Sequence, residues 1–289
     1  MYTIKQAAAL SGVGVSLLRA WERRYGVVTP ARSPGGYRLY DDDAIARLRS
    51  MRQLVDGGWA ASQAAEAVLA GPVEPPAPLQ SAVAARADIE AFLTATATYD
   101  TVGIESVLDA FFSRGSFEAV IDDLVLPAVA ALGPAWASGR IDVAAEHLAS
   151  ATVQRRLAAL FDLGGAPGPG PAVIVGLPPG CRHEIGTLAF AVALRRQGVN
   201  VLYLGPDVPI SSWVHVVRER STLAVIIGVA VPEDVDRAEA VAAAIQEAHP
   251  RVIIAIGGPT AHVATSDIRI LGDRVTDAAL EVARLVRTR

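Results

Sequence analysis

The sequence predicts a multidomain protein: a small helical module with a hairpin, then a helical bundle, then a doubly wound parallel α/β sheet. Three observations predict it. Two proline-rich stretches, GPVEPPAPLQ at 71–80 and GGAPGPGPA at 164–172, are poor material for helix or strand interiors and cut the chain into three. Apolar positions recur three and four apart through the middle stretch, as in VLDAFFSR and VIDDLVLPAVAAL. In the last stretch, continuous apolar runs alternate with helical ones. The modules so bounded are residues 1–72, 81–165 and 171–289. With 289 residues, 52% hydrophobic and 19% charged, the chain has ample material for well-buried domains.

In the first module, KQAAALSG reads as a helix ending at Gly12. SLLRAWERRYG reads as a second, with Ser16 as N-cap and Gly26 as stop. Leu18 and Trp21 then face a core, while Arg19, Arg23 and Arg24 share a side. That side is either a solvated face or one that engages phosphates and base edges. ARSPGGYRLYDDD follows, with a Pro34-Gly35-Gly36 turn between basic and aromatic flanks that suit a β-hairpin, and Asp42 or Asp43 opens the next helix. Charge is divided unevenly. Residues 1–72 carry nine Lys and Arg against six Asp and Glu, a net +3, and the remaining seventeen against twenty-four leave −7. A nucleic-acid surface, if there is one, belongs to the first module.

Within the predicted bundle, WASGRIDVAAEHLAS places charged residues in alanine-rich surroundings. Gly139 should stop one helix and Asp142 cap the next, which puts Glu146 and His147 in its first two turns and Trp136 at the end of the element before. Taken alone, this is a surface Glu-His pair beside a core tryptophan.

The sheet module reads AVIVGL, NVLYLG, LAVIIGVAV and RVIIAIGG as strands, each followed by a helix. Ligands of such sheets bind beyond the carboxyl ends of the strands. The loop after the first strand, PPGCRHEIG, therefore puts His183, a good metal donor, where a ligand would lie, with Gly186 allowing close approach. One cysteine, Cys181, excludes an internal disulfide and any multi-cysteine zinc site. No basic-then-apolar leader opens the chain, and no charge-free apolar stretch of about 18 residues occurs. A cytoplasmic location without a membrane partner is the expectation.

The first module resembles the winged helix-turn-helix of MerR-family regulators, on RRYG and on the wing pattern of Arg32, Gly36, Tyr37, Arg38 and Tyr40. The resemblance implies double-stranded DNA, an operator with palindromic symmetry and a homo-oligomer, dimer or tetramer, with Arg19, Arg23, Arg24, Arg32, Tyr37 and Arg38 contacting the duplex. The third module resembles the flavodoxin-like cobalamin-binding domain. Its D/E-x-H-x-x-G loop appears here as Cys181-Arg182-His183-Glu184-Ile185-Gly186, and its glycine pair as Gly257-Gly258. This implies His183 as lower axial ligand of cobalt and the glycines as room for the nucleotide tail. Trp136, nine residues, then Glu146-His147 match the W-x9-E-H motif of the four-helix-bundle-like cap in light-responsive, adenosylcobalamin-binding regulators of the CarH/LitR type. In that family these three lie over the upper face of the corrin.

Three positions depart from the pattern. Cys181 stands where a carboxylate orients the ligand histidine, Val229 where a serine contacts the tail, and Ala137 where a histidine follows the tryptophan. The resemblance implies a light-controlled transcription regulator, a repressor by expectation, that uses adenosylcobalamin. The departures leave open a linear bilin such as biliverdin, with Cys181 a conceivable attachment point. An enzyme carrying cobalamin is a third reading, weakened by the lack of a catalytic barrel to receive the cofactor.

Overall fold

The computed structural model describes residues 1–11, 13–32, 36, 38–56, 61–69, 82–163, 170–264 and 268–287. They form two compact units, 1–83 with 114–117, and 84–113 with 118–289.

In the first unit, helices α1 (Ile4–Ser11), α2 (Val15–Tyr25), α3 (Asp42–Asp56) and α4 (Ala61–Leu69) surround a core that includes Leu18, Trp21, Val27, Leu48 and Met51. Helix α2 stops where expected, at Gly26, whose φ of 65° suits glycine and whose N–H bonds the Glu22 carbonyl. Its start differs: the N-cap is Gly14, and Ser16 lies inside the first turn. Helix α3 opens at Asp42, and the capping oxygen comes from Asp41, which accepts the Ala44 N–H at 2.8 Å. The hairpin is present as β2 (Ala31–Arg32) against β3 (Arg38–Tyr40), and a third strand, β1 (Tyr2–Thr3), pairs with β3 so that Tyr2 faces Tyr40. Of the predicted Pro34-Gly35-Gly36 turn, Gly36 has a φ of 79°, while Pro34 and Gly35, and Tyr37 beyond the turn, lie outside the described residues.

The second unit holds the helical bundle and the sheet together. The bundle comprises α5 (Ala82–Ala97), α6 (Thr101–Phe112), α7 (Phe117–Val120), α8 (Leu126–Ala137) and α9 (Val143–Leu163). Between α7 and α8 the chain makes one wide turn, Ile121–Val125, in which the Leu126 N–H reaches back five residues to Ile121. Pro127 has no N–H to continue the ordinary ladder, so the widened turn sits beside it. The continuous run Phe117–Ala137 is long and apolar enough by composition to cross a membrane. Its apolar residues have another use. Ile121, Leu124, Val125, Ala128 and Leu132 are buried in this unit, and each such aliphatic side chain contributes roughly 1.5–3 kcal/mol when it is Val-sized or larger.

The sheet is five-stranded and wholly parallel, with β4 (Ala172–Gly176), β5 (Val201–Gly205), β6 (Thr222–Gly228), β7 (Ile253–Gly257) and β8 (Arg269–Ile270) in the order β5-β4-β6-β7-β8. Counted within the module this is 2-1-3-4-5, the flavodoxin-like order. Helices α10 (Ile185–Arg196) and α13 (Val275–Arg287) pack together, as do α11 (Ile210–Glu219) and α12 (Val235–Ala248), and bundle helix α9 lies on α10. A clasp fixes bundle to sheet. Asp122, whose side chain is 4% exposed, accepts the N–H groups of Val275 and Thr276 at 2.9 and 3.1 Å, capping α13 from a distant element, while Arg274 bonds Asp123 at 3.0 Å.

Candidate functional site

The carboxyl ends of the sheet strands and the bundle helices α8 and α9 enclose a cavity of about 1320 Å³. Small-molecule sites usually measure roughly 300–1,000 Å³, so this one has room for a large ligand. Leu126, Val129, Leu132, Phe190, Ile226 and Val231 are among its apolar walls, and its polar side chains come from both elements.

The sheet side is built on the loop after β4. That loop is tied to its neighbour at three points: the Val208 N–H bonds Leu177 O at 3.2 Å, the Gly180 N–H bonds Asp207 Oδ1 at 2.6 Å, and the Asp207 N–H bonds Cys181 O at 3.0 Å. His183 is exposed and lines the cavity. Next to it, Glu184 accepts from the Tyr203 hydroxyl at 2.7 Å and from Gln154 of α9 at 3.3 Å, which joins the histidine loop to both β5 and the bundle. Burial, reinforced by Glu184, holds the Tyr203 phenol well above its ordinary pKa, so it remains a donor. Gly186 also lines the cavity, and a Cβ built there meets no atom within 4 Å beyond its chain neighbours and its own helix backbone. Its missing side chain leaves ligand space.

On the bundle side, Trp136 is 53% exposed and faces the cavity together with Glu146 and His147. The expected stop and cap are both present. Gly139 has φ 74°, and Asp142 accepts the Ala145 N–H at 2.8 Å and the Tyr99 hydroxyl at 2.6 Å. Glu146 accepts from the Ser150 hydroxyl at 2.6 Å and lies 2.5 Å from His147 Nδ1. Burial alone would push the Glu146 carboxyl up, but those two bonds and the charges of His147 and His183 outweigh it and hold it below its ordinary value. A carboxylate at neutral pH therefore stands across the cavity from His183.

The Tyr99 hydroxyl and the Ala145 N–H hold Asp142 below the ordinary carboxylate value. A depressed folded pKa stabilises above the unfolded value and is lost as pH falls through the folded one. Asp142→Asn should accordingly lower the melting temperature at neutral pH by a few degrees, with the difference from wild type closing under acid. Thermal melts at pH 7 and pH 3 check this.

Val229, Gly257 and Gly258 line the far end, where the Val229 N–H bonds Gly257 O at 2.9 Å. Thus eight of the predicted cavity residues converge: Trp136, Glu146, His147, His183, Gly186, Val229, Gly257 and Gly258. Cys181 does not. It is 1% exposed, lies outside the cavity wall and donates to Asp234 Oδ1 at 2.8 Å, with Arg237 at 3.8 Å. Burial, then Asp234, pushes the thiol up to about 11. A protonated, enclosed thiol offers no attachment point, which removes the anchor for a bilin. Ala137 ends α8 exposed, outside the wall. Ser150, Gln154, Glu184 and Asp234 were not anticipated. Only the first two carried a signal, lying four and eight residues beyond Glu146 on one helical face.

The donor set discriminates between metal forms. Among the described residues no group of three His, Cys, Asp or Glu side chains could hold a bare ion. The imidazole of His183 on the sheet side suits a metal that brings its own equatorial ligands, and the volume, apolar walls and open Gly186 suit a tetrapyrrole around it.

In the first unit, Arg19, Arg23 and Arg24 are exposed on α2, and Arg32 on the wing bonds Gly36 O at 3.4 Å. Arg38 is placed differently from a plain phosphate contact. Its Nε bonds Glu22 at 2.9 Å, and the Tyr40 hydroxyl joins the same carboxylate at 3.2 Å, so the wing is strapped to α2. Burial, then Glu22, pushes Tyr40 up to about 12, which keeps that strap protonated.

Residues 2–70 match the MerR HTH family regulatory protein model, and residues 88–161 and 171–281 match two B12 binding domain models. The chain is 39% identical over 220 residues to the HTH-type transcriptional repressor CarH of Myxococcus xanthus, covering 72% of each chain. It is 35% identical over 209 residues to the repressor CarA of the same organism, covering 71% of this chain and 68% of that one. Among solved structures, the monomethylamine corrinoid protein of Methanosarcina barkeri superposes with a TM-score of 0.54 at 12% identity over 69% of this chain and 99% of that one, a likeness of fold.

Proposed function

The chain belongs to the MerR-family transcription regulators that carry B12-binding domains, and from that membership we propose that it is a cytoplasmic repressor whose hold on DNA is set by light through bound adenosylcobalamin. The observation that carries this reading is the cavity of about 1320 Å³ with His183 on one wall and Trp136, Glu146 and His147 on another. Two relatives named as repressors support the direction of control.

Bound adenosylcobalamin supplies a cobalt–carbon bond that visible light breaks. His183 would offer an imidazole nitrogen from the sheet side, Gly186 leaves the approach open, and Gly257 and Gly258 line the part of the cavity that would take the nucleotide tail. Trp136 would offer an aromatic face to the bound group from the bundle side, and the Glu146 carboxylate, fixed by Ser150, and His147 would offer polar contacts to a ribose or base. Helix α9 carries Glu146, His147 and Gln154, and Gln154 holds the loop of His183 through Glu184. A change at the bundle wall would thereby be transmitted along α9 to the histidine loop. A ligand that favours one assembly over another shifts DNA occupancy by its differential affinity for the two. We assign the assemblies as homo-oligomers, dimer or tetramer, on a palindromic operator.

The test is full-length protein reconstituted with adenosylcobalamin in the dark, with absorption, mass and operator affinity measured before and after green light. A spectral change with a smaller assembly and roughly 5- to 150-fold weaker operator binding is expected. Equal affinity and mass in dark and light would overturn the proposal.

A further inference from the structure

Asp234 is the most deeply enclosed carboxylate near the histidine loop, and nothing in the sequence motifs accounts for it. It ends the short turn Pro232–Asp234 after β6 and stands at the N-terminus of α12, where the helix dipole favours its charge. The residue is 3% exposed. One oxygen, Oδ1, accepts the Cys181 thiol at 2.8 Å and lies 3.5 Å from the Arg237 guanidinium. The other, Oδ2, is buried and has no hydrogen-bond partner among the described residues. A buried carboxylate oxygen left unpaired is costly, and a role at a functional site is one reason for a fold to keep one. Cys181 is two residues from His183, in the loop that Asp234 holds from behind.

Histidines bound to a metal nearly always donate their second ring N–H to a carboxylate, a carbonyl or water, which fixes ring orientation and raises basicity. Position 181, where a carboxylate would do this, holds a thiol. We propose that Asp234 supplies that carboxylate from the neighbouring strand's loop: its Oδ1 anchors the loop through Cys181, and its free Oδ2 accepts the His183 N–H when the other ring nitrogen engages the metal. Asp234 is thus a positioning residue for His183. The inference rests on the cobalamin reading above.

Full-length wild type, Asp234→Asn and the double variant Cys181→Asp/Asp234→Asn are loaded with adenosylcobalamin in the dark and compared by equilibrium affinity and by the absorption bands that report a lower nitrogen ligand. Asp234→Asn should bind about 10- to 100-fold more weakly and lose lower-nitrogen ligation, and the double variant, with a carboxylate back at position 181, should recover both. Wild-type affinity and spectrum in Asp234→Asn, or no recovery in the double variant, overturns the proposal. Should Asp234→Asn fail to fold, Asp234→Ser, which removes the carboxylate but keeps a small polar partner for Cys181 at the start of α12, decides in the same assay: loss of lower-nitrogen ligation supports the proposal and an unchanged spectrum overturns it. A wild type that stays colourless overturns the cobalamin reading and this inference with it. A coloured wild type with unaffected variants overturns this inference alone.

Discussion

Gly258→Ala is expected to destabilise the second unit by about 3 kcal/mol or more. Gly258 sits at φ 129°, a conformation that L side chains rarely adopt, and a Cβ built there would lie 2.0 Å from the Val229 carbonyl oxygen. The obstructing atoms are backbone, so no side-chain rotation relieves them. Val229 is itself held by its N–H bond to Gly257 O, which ties the ends of β6 and β7 together beneath the cavity. The methyl group therefore has to force apart two strands that are paired along their length. Gly186→Ala is the matching control. Beyond its chain neighbours and its own helix backbone, no atom lies within 4 Å of its Cβ, so the fold should tolerate it, yet the methyl group enters the cavity. Thermal melts of the ligand-free chains, followed by cobalamin titration, separate the two. Gly258→Ala should melt lower, and Gly186→Ala should melt like wild type but take up cobalamin poorly. An unchanged melting temperature for Gly258→Ala would mean that the strand ends yield, against the tight approach of Gly258 to Val229.

The contrast between these glycines shows what a sequence can and cannot convey. Both fall in motifs, but only coordinates tell that one is required by the backbone and the other by empty space. Long-period features were legible: the four main strands of the sheet, the stop at Gly26, and the Gly139-Asp142 punctuation that sets Glu146 and His147 at the start of α9. Short edge elements were not. β1 and β8 have two residues each, too few for any period, and α4 is so rich in alanine that its apolar stripe, Ala64, Ala65 and Val68, hardly stands out. Partnerships across long stretches of chain were equally hidden. Asp122 meets Thr276 at a separation of 154 residues, Gln154 meets Glu184 at 30, and Cys181 meets Asp234 at 53. The last explains the wrong expectation for the thiol. Loop residues have no fixed period, so the sequence placed Cys181 near the ligand without telling which way its side chain turns, and a buried acceptor on another loop decided it.

Replacing Arg19, Arg23 and Arg24 together by alanine is expected to abolish operator binding at physiological salt. The three guanidinium groups are exposed on α2, whose opposite face buries Leu18 at 0% and Trp21 at 2% exposure, so the helix should persist without them. Removing an arginine that neutralises one phosphate should flatten the dependence of log affinity on log salt by about 0.9, and removing one that pairs bidentately with a base should cost roughly 1–3 kcal/mol. These two contributions are separable. An arginine-to-lysine change retains the charge but loses the planar fork that pairs with guanine. At a phosphate-binding position, lysine should leave both the salt slope and the sequence preference nearly intact. At a base-reading position, it should preserve the slope while affinity for the selected site falls toward that for random DNA. Duplexes selected from a random-sequence pool, titrated by fluorescence anisotropy at several salt concentrations, provide the measurement. Glu22 lies between these arginines but is bonded to Arg38 and Tyr40, so Glu22→Gln should loosen the wing without altering how α2 itself meets the duplex. If the triple variant bound the selected duplex with wild-type affinity and slope, α2 would not be the element that meets DNA. The excess of basic residues in the first 72 would then have to act through the wing, where Arg32 is exposed and Arg38 is held by Glu22.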